Sequence, residues 1–349
     1  MDNPTKRDVK QHIRNRWKRL KHVTKFSKDF HKEILTNMKK DTLIKSIYKK
    51  SQQDKFNYII NPQCIVDSND RTLVHLTQLN NDNNAIEKAT QAVEHYYFHL
   101  IKEDPSHRST AFWRDLVEHF GAYISYNPFP YTSSDMASSH NLNHLKCVNV
   151  LIKNLIPLSE SVNKFIRDDY RSLYEKLGKL SLGPFVPKPF GIFPMMAINF
   201  NTISDYHWDK MDEANSLCII VPLGDFEGGE LHFPQLKIVV KLKSGQAIAF
   251  PSRLLLHGNF SITKGIRYSL VYYVHAGFFR ESYKNKHSKK NVKNQDLFKA
   301  PQNLPKVQFT EAKNEQIKMP PVSLDTRRKY VDLSRARRGL KAEDPISNN

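Results

Sequence analysis

His207 and Asp209 stand two residues apart, His257 follows the aspartate by 48 residues, Arg267 comes ten residues later and Ser269 two after that. Two imidazoles and one carboxylate can hold one triangular face of an octahedral iron(II), leaving the opposite face for a chelating co-substrate and dioxygen. A spacing of two sends the side chains of His207 and Asp209 to the same face of an extended strand, so both can reach one ion. A guanidinium at Arg267 can grip a carboxylate through two parallel charge-assisted hydrogen bonds, and the Ser269 hydroxyl on the same strand face can add another. Together the residues predict iron(II) chemistry with 2-oxoglutarate as co-substrate and O2 as oxidant. A lone His-x-Asp pair is ordinarily a solvated turn or a satisfied strand histidine; the complete series, with Gly228-Gly229-Glu230-Leu231 between the ligands, carries the reading. His232 has no partner at ligand spacing and reads as structural.

Such a set needs rigid strands to position it. The run Gly245 to Phe250, followed by Leu254 to His257, delivers the second histidine from another strand region after a turn. Arg267 opens Tyr268 to Val274, a β-branched and aromatic run expected to be a buried strand. Beyond Gly183 the hydrophobic period is two, and Pro184, Pro187, Pro189, Pro194, Gly224 and Gly245 punctuate short strands as far as Phe279. Upstream, the apolar spacing predicts helices over Ala85 to Lys102, Thr110 to Phe120 and Ser159 to Leu177. Tyr123 to Tyr131 is aromatic and irregular. The expected fold is α+β, a double-stranded β-helix (jelly-roll) with supporting helices. Its expected divisions are a basic helical arm over 1–60, a mainly helical support region over 61–183, the oxygenase core over 184–280 and a largely disordered basic tail over 281–349.

Composition bounds the setting. The chain has 349 residues, 39% hydrophobic, enough for one large core with appendages. Three cysteines without a Cys-x-x-Cys indicate neither a disulfide framework nor a cysteine-rich zinc site. No apolar run has the length of a membrane span, so the expectation is a soluble intracellular protein. The net charge of +19 is unevenly distributed: residues 1–60 hold 17 Lys/Arg against 6 Asp/Glu, residues 281–349 hold 16 against 8, and residues 61–280 hold 21 of each. A neutral middle between basic arms is a pattern suited to a polyanion, and nucleic acid is the expected partner. Within the first arm, Ile13, Trp17, Leu20, Val23, Phe26 and Phe30 recur at helical spacing, and Lys18-Arg19-Leu20-Lys21-His22 can serve as a nuclear address.

Asn199, His207-x-Asp209, Asp212, Pro222-Leu223-Gly224, Phe226-x-Gly228-Gly229-x-Leu231, Gly245, His257-Gly258 and Arg267-x-Ser269 resemble the TET/JBP-like 2-oxoglutarate and iron(II) dioxygenases, particularly their compact fungal and protist forms. The match spans roughly residues 195–280. The resemblance implies oxidation of the 5-methyl group of a pyrimidine, 5-methylcytosine or thymine, flipped out of nucleic acid, with DNA the expected form. It implies iron at His207, Asp209 and His257, and 2-oxoglutarate at Arg267 and Ser269. It further implies that Asp212 and His275 hydrogen-bond the edge of the base, that Tyr273 stacks on its ring, and that Asn127 meets its carbonyl. The chain departs from the animal branch in lacking a cysteine-rich zinc region. Two other readings stay open: a peptidyl prolyl or lysyl hydroxylase, which shares the triad, and a catalytically silent nucleic-acid-binding module.

Overall fold

The computed structural model describes residues 23–27, 56–99, 116–124, 130–137, 142–182 and 186–279. Asn127, the Lys18 to His22 cluster and the tail over 281–349 lie outside them.

Short runs of β-branched and aromatic residues alternate between two faces and build two facing sheets. The strands are β1 (Val23–Lys25), β2 (Asn57–Ile59), β3 (Gln63–Val66), β4 (Thr72–Gln78), β5 (Val117–Tyr123), β6 (Tyr131–Thr132), β7 (Met195–Phe200) and β8 (Cys218–Leu223). They continue with β9 (Phe226–Gly228), β10 (Leu231–Phe233), β11 (Ile238–Val240), β12 (Gln246–Phe250), β13 (Gly258–Asn259), β14 (Ile262–Gly265) and β15 (Tyr268–Tyr273). The larger sheet runs β1-β3-β4-β12-β8-β15-β7-β5-β6, the smaller runs β13-β10-β11-β2, and β14 pairs with β9. The result is a jelly-roll in an α+β fold.

The period of two decides what lies between the layers. Ile248 and Phe250 of β12 pack with Leu231, Phe233, Ile238 and Val240 of the smaller sheet. Their neighbours Ala247 and Ala249 point the other way, into the cluster that holds Ala89, Ala92 and Val93 of helix α1 (Ala85–Glu94). The same cluster takes Leu151, Leu155, Val162 and Ile166 from α3 (Leu142–Asp169), which follows the short α2 (Ser134–Ala137) and precedes α4 (Arg171–Gly178). The large sheet is therefore buried on both faces, by helices behind and by the small sheet in front. The open end of the space between the sheets is where the predicted ligands gather.

Four expectations change. Val117 to Phe120 is strand, not helix, because β5 pairs with β7 from Val117 opposite Asn199 to Gly121 opposite Met195; ladder pairing beside a buried strand outweighs an apolar spacing that also suits a helix. Residues 61–183 are more than a helical support, since β3 and β4 flank one side of the strands from 184–280 and β5 and β6 flank the other. Val23 to Lys25 breaks the helical stripe: it pairs parallel with β3 at the sheet edge, and Phe26 packs on the core. The helix expected from Ser159 begins earlier, at Leu142, and carries Pro157 inside it. Among the described residues no helix is long and apolar enough to cross a membrane.

Candidate metal centre

His207 and His257 lie opposite each other as an antiparallel bridge, each backbone N–H donating to the other's carbonyl at 2.9 and 3.1 Å. Trp208, between the two sequence-adjacent ligands, points away from them; it is buried, and its indole N–H donates to the Leu254 carbonyl at 3.2 Å. That anchor lets His207 and Asp209 share the opposite face, as their spacing predicts. The Asp209 carboxylate then sits between the imidazoles, Oδ1 3.5 Å from His207 Nε2 and Oδ2 3.6 Å from His257 Nε2. All three ligand atoms lie within 4.8 Å of one another.

Each imidazole is held by its other nitrogen. His207 Nδ1 lies 2.7 Å from the Asp205 carbonyl, and His257 Nδ1 lies 2.9 Å from that of Leu255. A carbonyl only accepts, so Nδ1 carries the proton and Nε2 presents its lone pair toward the cluster, the tautomer a metal requires. Burial alone would raise the Asp209 pKa, but in their protonated form His257, through hydrogen bonding and charge, and His207, through charge, hold it below the usual value; a metal cation at the cluster would take the place of those protons. The donor set of two neutral imidazoles and one carboxylate fits a facially bound iron(II).

Arg267 provides the second half of the constellation. It is buried, its Nη1 donates to the Gly229 carbonyl, and its backbone exchanges hydrogen bonds with Asn201. Its Nε has no hydrogen-bond partner, and among the described residues no carboxylate reaches ion-pair distance. Burial draws its pKa down to about 10, with Glu230 opposing, so it remains charged at neutral pH. A buried cation with a free donor is costly unless an anion joins it. A carboxylate on a small molecule is an anion whose geometry suits a guanidinium, and Ser269, also buried, lines the same cavity.

The Gly228-Gly229 turn sets the position of that guanidinium. Gly229 has φ +70°, and a Cβ there would meet Ile262 and Arg267 Nη1. Gly229→Ala is therefore expected to displace the guanidinium and weaken 2-oxoglutarate binding by about tenfold or more while iron content is retained, since strain of about 1–3 kcal/mol falls on the anion subsite. Calorimetric titration of the iron-loaded variant checks this.

At the other end of the cavity, Asp212 and His275 form a second isolated bridge. Ser252 donates to Asp212 Oδ2 at 2.7 Å, while burial, aided by the nearby Asp209 charge, pushes the Asp212 pKa up to about 8. Burial keeps His275 below its usual value, and its Nδ1 has no hydrogen-bond partner. The Tyr273 ring lies 5.3 Å from that of His275. All three residues line the same cavity, of about 530 Å³, as His207, Asp209, His257, Arg267 and Ser269. Eight of the nine residues singled out in the sequence thus converge; Asn127 lies outside the described residues. His232 faces away, buried beside Phe56, Tyr206 and Phe260, and burial lowers its pKa to about 4.

Sequence reasoning missed Ser252, whose only signal was its place in the Pro251-Ser252-Arg253 turn after β12. It also missed His119, which lines the cavity from β5 and was hidden by the helical reading of that segment. It missed Asn259 as well, which lines the cavity, donates to the Thr202 carbonyl and accepts from the Ser204 N–H, tying the loop before His207 to β13.

No family model and no curated protein matches the chain. Solved structures do. One is NgTET1 in complex with 5mC DNA, at 17% identity over 74% of this chain and 99% of that one, with a TM-score of 0.49. A 2OG-Fe(II) oxygenase family protein of Burkholderia pseudomallei matches at 18% identity over 45% of this chain and 66% of that one, with a TM-score of 0.28. The viral collagen prolyl hydroxylase of Paramecium Bursaria Chlorella virus-1 matches at 18% identity over 36% and 68%, with a TM-score of 0.26.

Proposed function

We propose that the protein is an iron(II)- and 2-oxoglutarate-dependent dioxygenase that oxidises the methyl group of a pyrimidine base in nucleic acid. The observation that carries the enzyme class is the His207-Asp209-His257 cluster sharing one cavity with a buried guanidinium that, among the described residues, has no carboxylate of its own. Iron(II) with 2-oxoglutarate and O2 supplies C–H oxidation coupled to decarboxylation of the co-substrate to succinate.

The chain's residues provide position and exclusion of water. His207, Asp209 and His257 hold the metal. Arg267 and Ser269 bind the distal carboxylate of 2-oxoglutarate and so orient its other end toward the ligands. Asp212 and His275 are placed to hydrogen-bond the edge of a flat heterocycle, with Tyr273 against its ring; Asn127 takes the base carbonyl by resemblance. A cavity of about 530 Å³ accommodates a small diacid and one base but no duplex, so the base must leave its stack to react.

The test is direct. Pure protein with iron(II), 2-oxoglutarate and ascorbate is given methylated DNA, methylated RNA, and proline- or lysine-containing peptides in separate reactions, and products are quantified by mass spectrometry. Oxidised pyrimidine nucleosides are expected. Succinate formed with hydroxylated peptide and unaltered nucleic acid would replace this reading with the peptidyl hydroxylase; absence of any iron-dependent succinate would favour the silent binding module.

The basic arms have a separate role in the proposal, drawing the polyanion through counterion release and directing the protein to the nucleus. β1 belongs to the sheet, so the truncation to test is removal of residues 285–349, which leaves every described strand in place, with circular dichroism as the check on folding. That deletion is expected to flatten the dependence of log affinity for DNA on log salt by about 0.9 for each phosphate that the tail had neutralised. An unchanged slope in a folded truncation assigns the phosphate contacts elsewhere.

A further inference from the structure

A line of aromatic rings leads from the cavity to the surface. His275, which lines the cavity, meets Tyr123 edge-on at 5.4 Å, and Tyr123 meets Tyr131 edge-on at 5.4 Å. Tyr123 and Tyr131 are partners across the β5–β6 ladder, and β6 is the last strand of the large sheet. Unlike the rings that fill the core, Tyr131 is 38% exposed. His119, an even number of positions before Tyr123 on β5, lines the cavity and is itself exposed, so this strand forms part of the mouth.

A second observation says what comes to that rim. Gly277 packs against Ile124, the residue after Tyr123, so closely that a Cβ on the glycine would stand 3.0 Å from the isoleucine side chain. Gly277 thus holds this end of the described chain against β5, and the segment that follows in sequence, 281–349, carries 16 Lys/Arg against 8 Asp/Glu. A basic segment beginning beside an exposed flat ring pairs charge for phosphates with a surface for bases.

We infer that Tyr131, backed edge-on by Tyr123, is a stacking platform for the base adjacent to the one in the cavity, on a nucleic-acid strand opened at that point. The inference rests on the function proposed above. Every base has a π face, so such a contact tolerates sequence and orders the strand without reading it. It is uncharged, so it adds affinity without adding a phosphate contact.

The experiment uses the full chain and a single-stranded oligonucleotide bearing one 5-methylcytosine with 2-aminopurine beside it. Anisotropy gives affinity across a salt series, 2-aminopurine fluorescence gives stacking, and nucleoside analysis gives oxidation. Tyr131→Ala is expected to weaken binding about 5- to 150-fold, the alanine effect for one stacked base, with an unchanged salt slope and loss of the fluorescence quenching. Tyr131→Phe should retain affinity and quenching, whereas Tyr131→Leu, apolar but not aromatic, should behave as alanine; the phenylalanine variant also controls for folding. Wild-type affinity and quenching in Tyr131→Ala, or full rescue by leucine, overturns the platform while leaving the enzyme reading intact if the oligonucleotide is still oxidised. Failure of the wild-type protein to bind or oxidise any oligonucleotide removes the function reading and the platform with it.

Discussion

Asp209→Ala is expected to lose iron and succinate formation together, with iron affinity reduced by more than about 100-fold. Replacing a residue that merely supports a metal ligand already costs about 10–100-fold, and this change removes the carboxylate that lies between the two imidazoles. The fold should survive, because the bridge between His207 and His257 is made by backbone groups. Iron retained after dialysis and succinate formed per minute are the two measurements, with circular dichroism as control. Wild-type iron content and turnover in this variant would sink the facial triad.

Arg267→Ala should split those readouts. Iron stays, since no metal ligand is touched, while 2-oxoglutarate affinity falls about 10- to 150-fold through removal of a charge-assisted pair contributing roughly 1.5–3 kcal/mol. Arg267→Lys is expected to recover little. Lysine restores the charge but not the planar fork that can donate to Gly229 and an incoming carboxylate at once. Equal loss of iron and 2-oxoglutarate in Arg267→Ala would mean that the guanidinium supports the metal loop instead of the co-substrate.

The parts of this site legible in the sequence were those governed by a short period or by the chemistry of one residue type. His207 and Asp209 share a face because strands alternate, and Arg267 opens a buried strand because Tyr268 to Tyr273 is β-branched and aromatic. The positions that escaped depend on long-range pairing. Val117 to Phe120 satisfies helical spacing, and only the ladder with Met195 to Asn199 turns it into strand and carries His119 to the cavity. Val23 to Lys25 likewise becomes strand only because the edge of β3 is available to it. Ser252 matters through its hydrogen bond to Asp212, 40 residues away, which no local pattern encodes.

The backbone bridge joining His207 to His257 has a consequence for the order of events during folding. The two histidines are 50 residues apart in the chain and meet only when the sheets have closed, a contact of high sequence separation that forms slowly. A metal ion cannot therefore nucleate this domain as zinc nucleates a finger. On the function proposed above, iron would meet a chelator whose geometry the peptide ladder has already fixed, so protein produced without iron is expected to be folded and open to late loading.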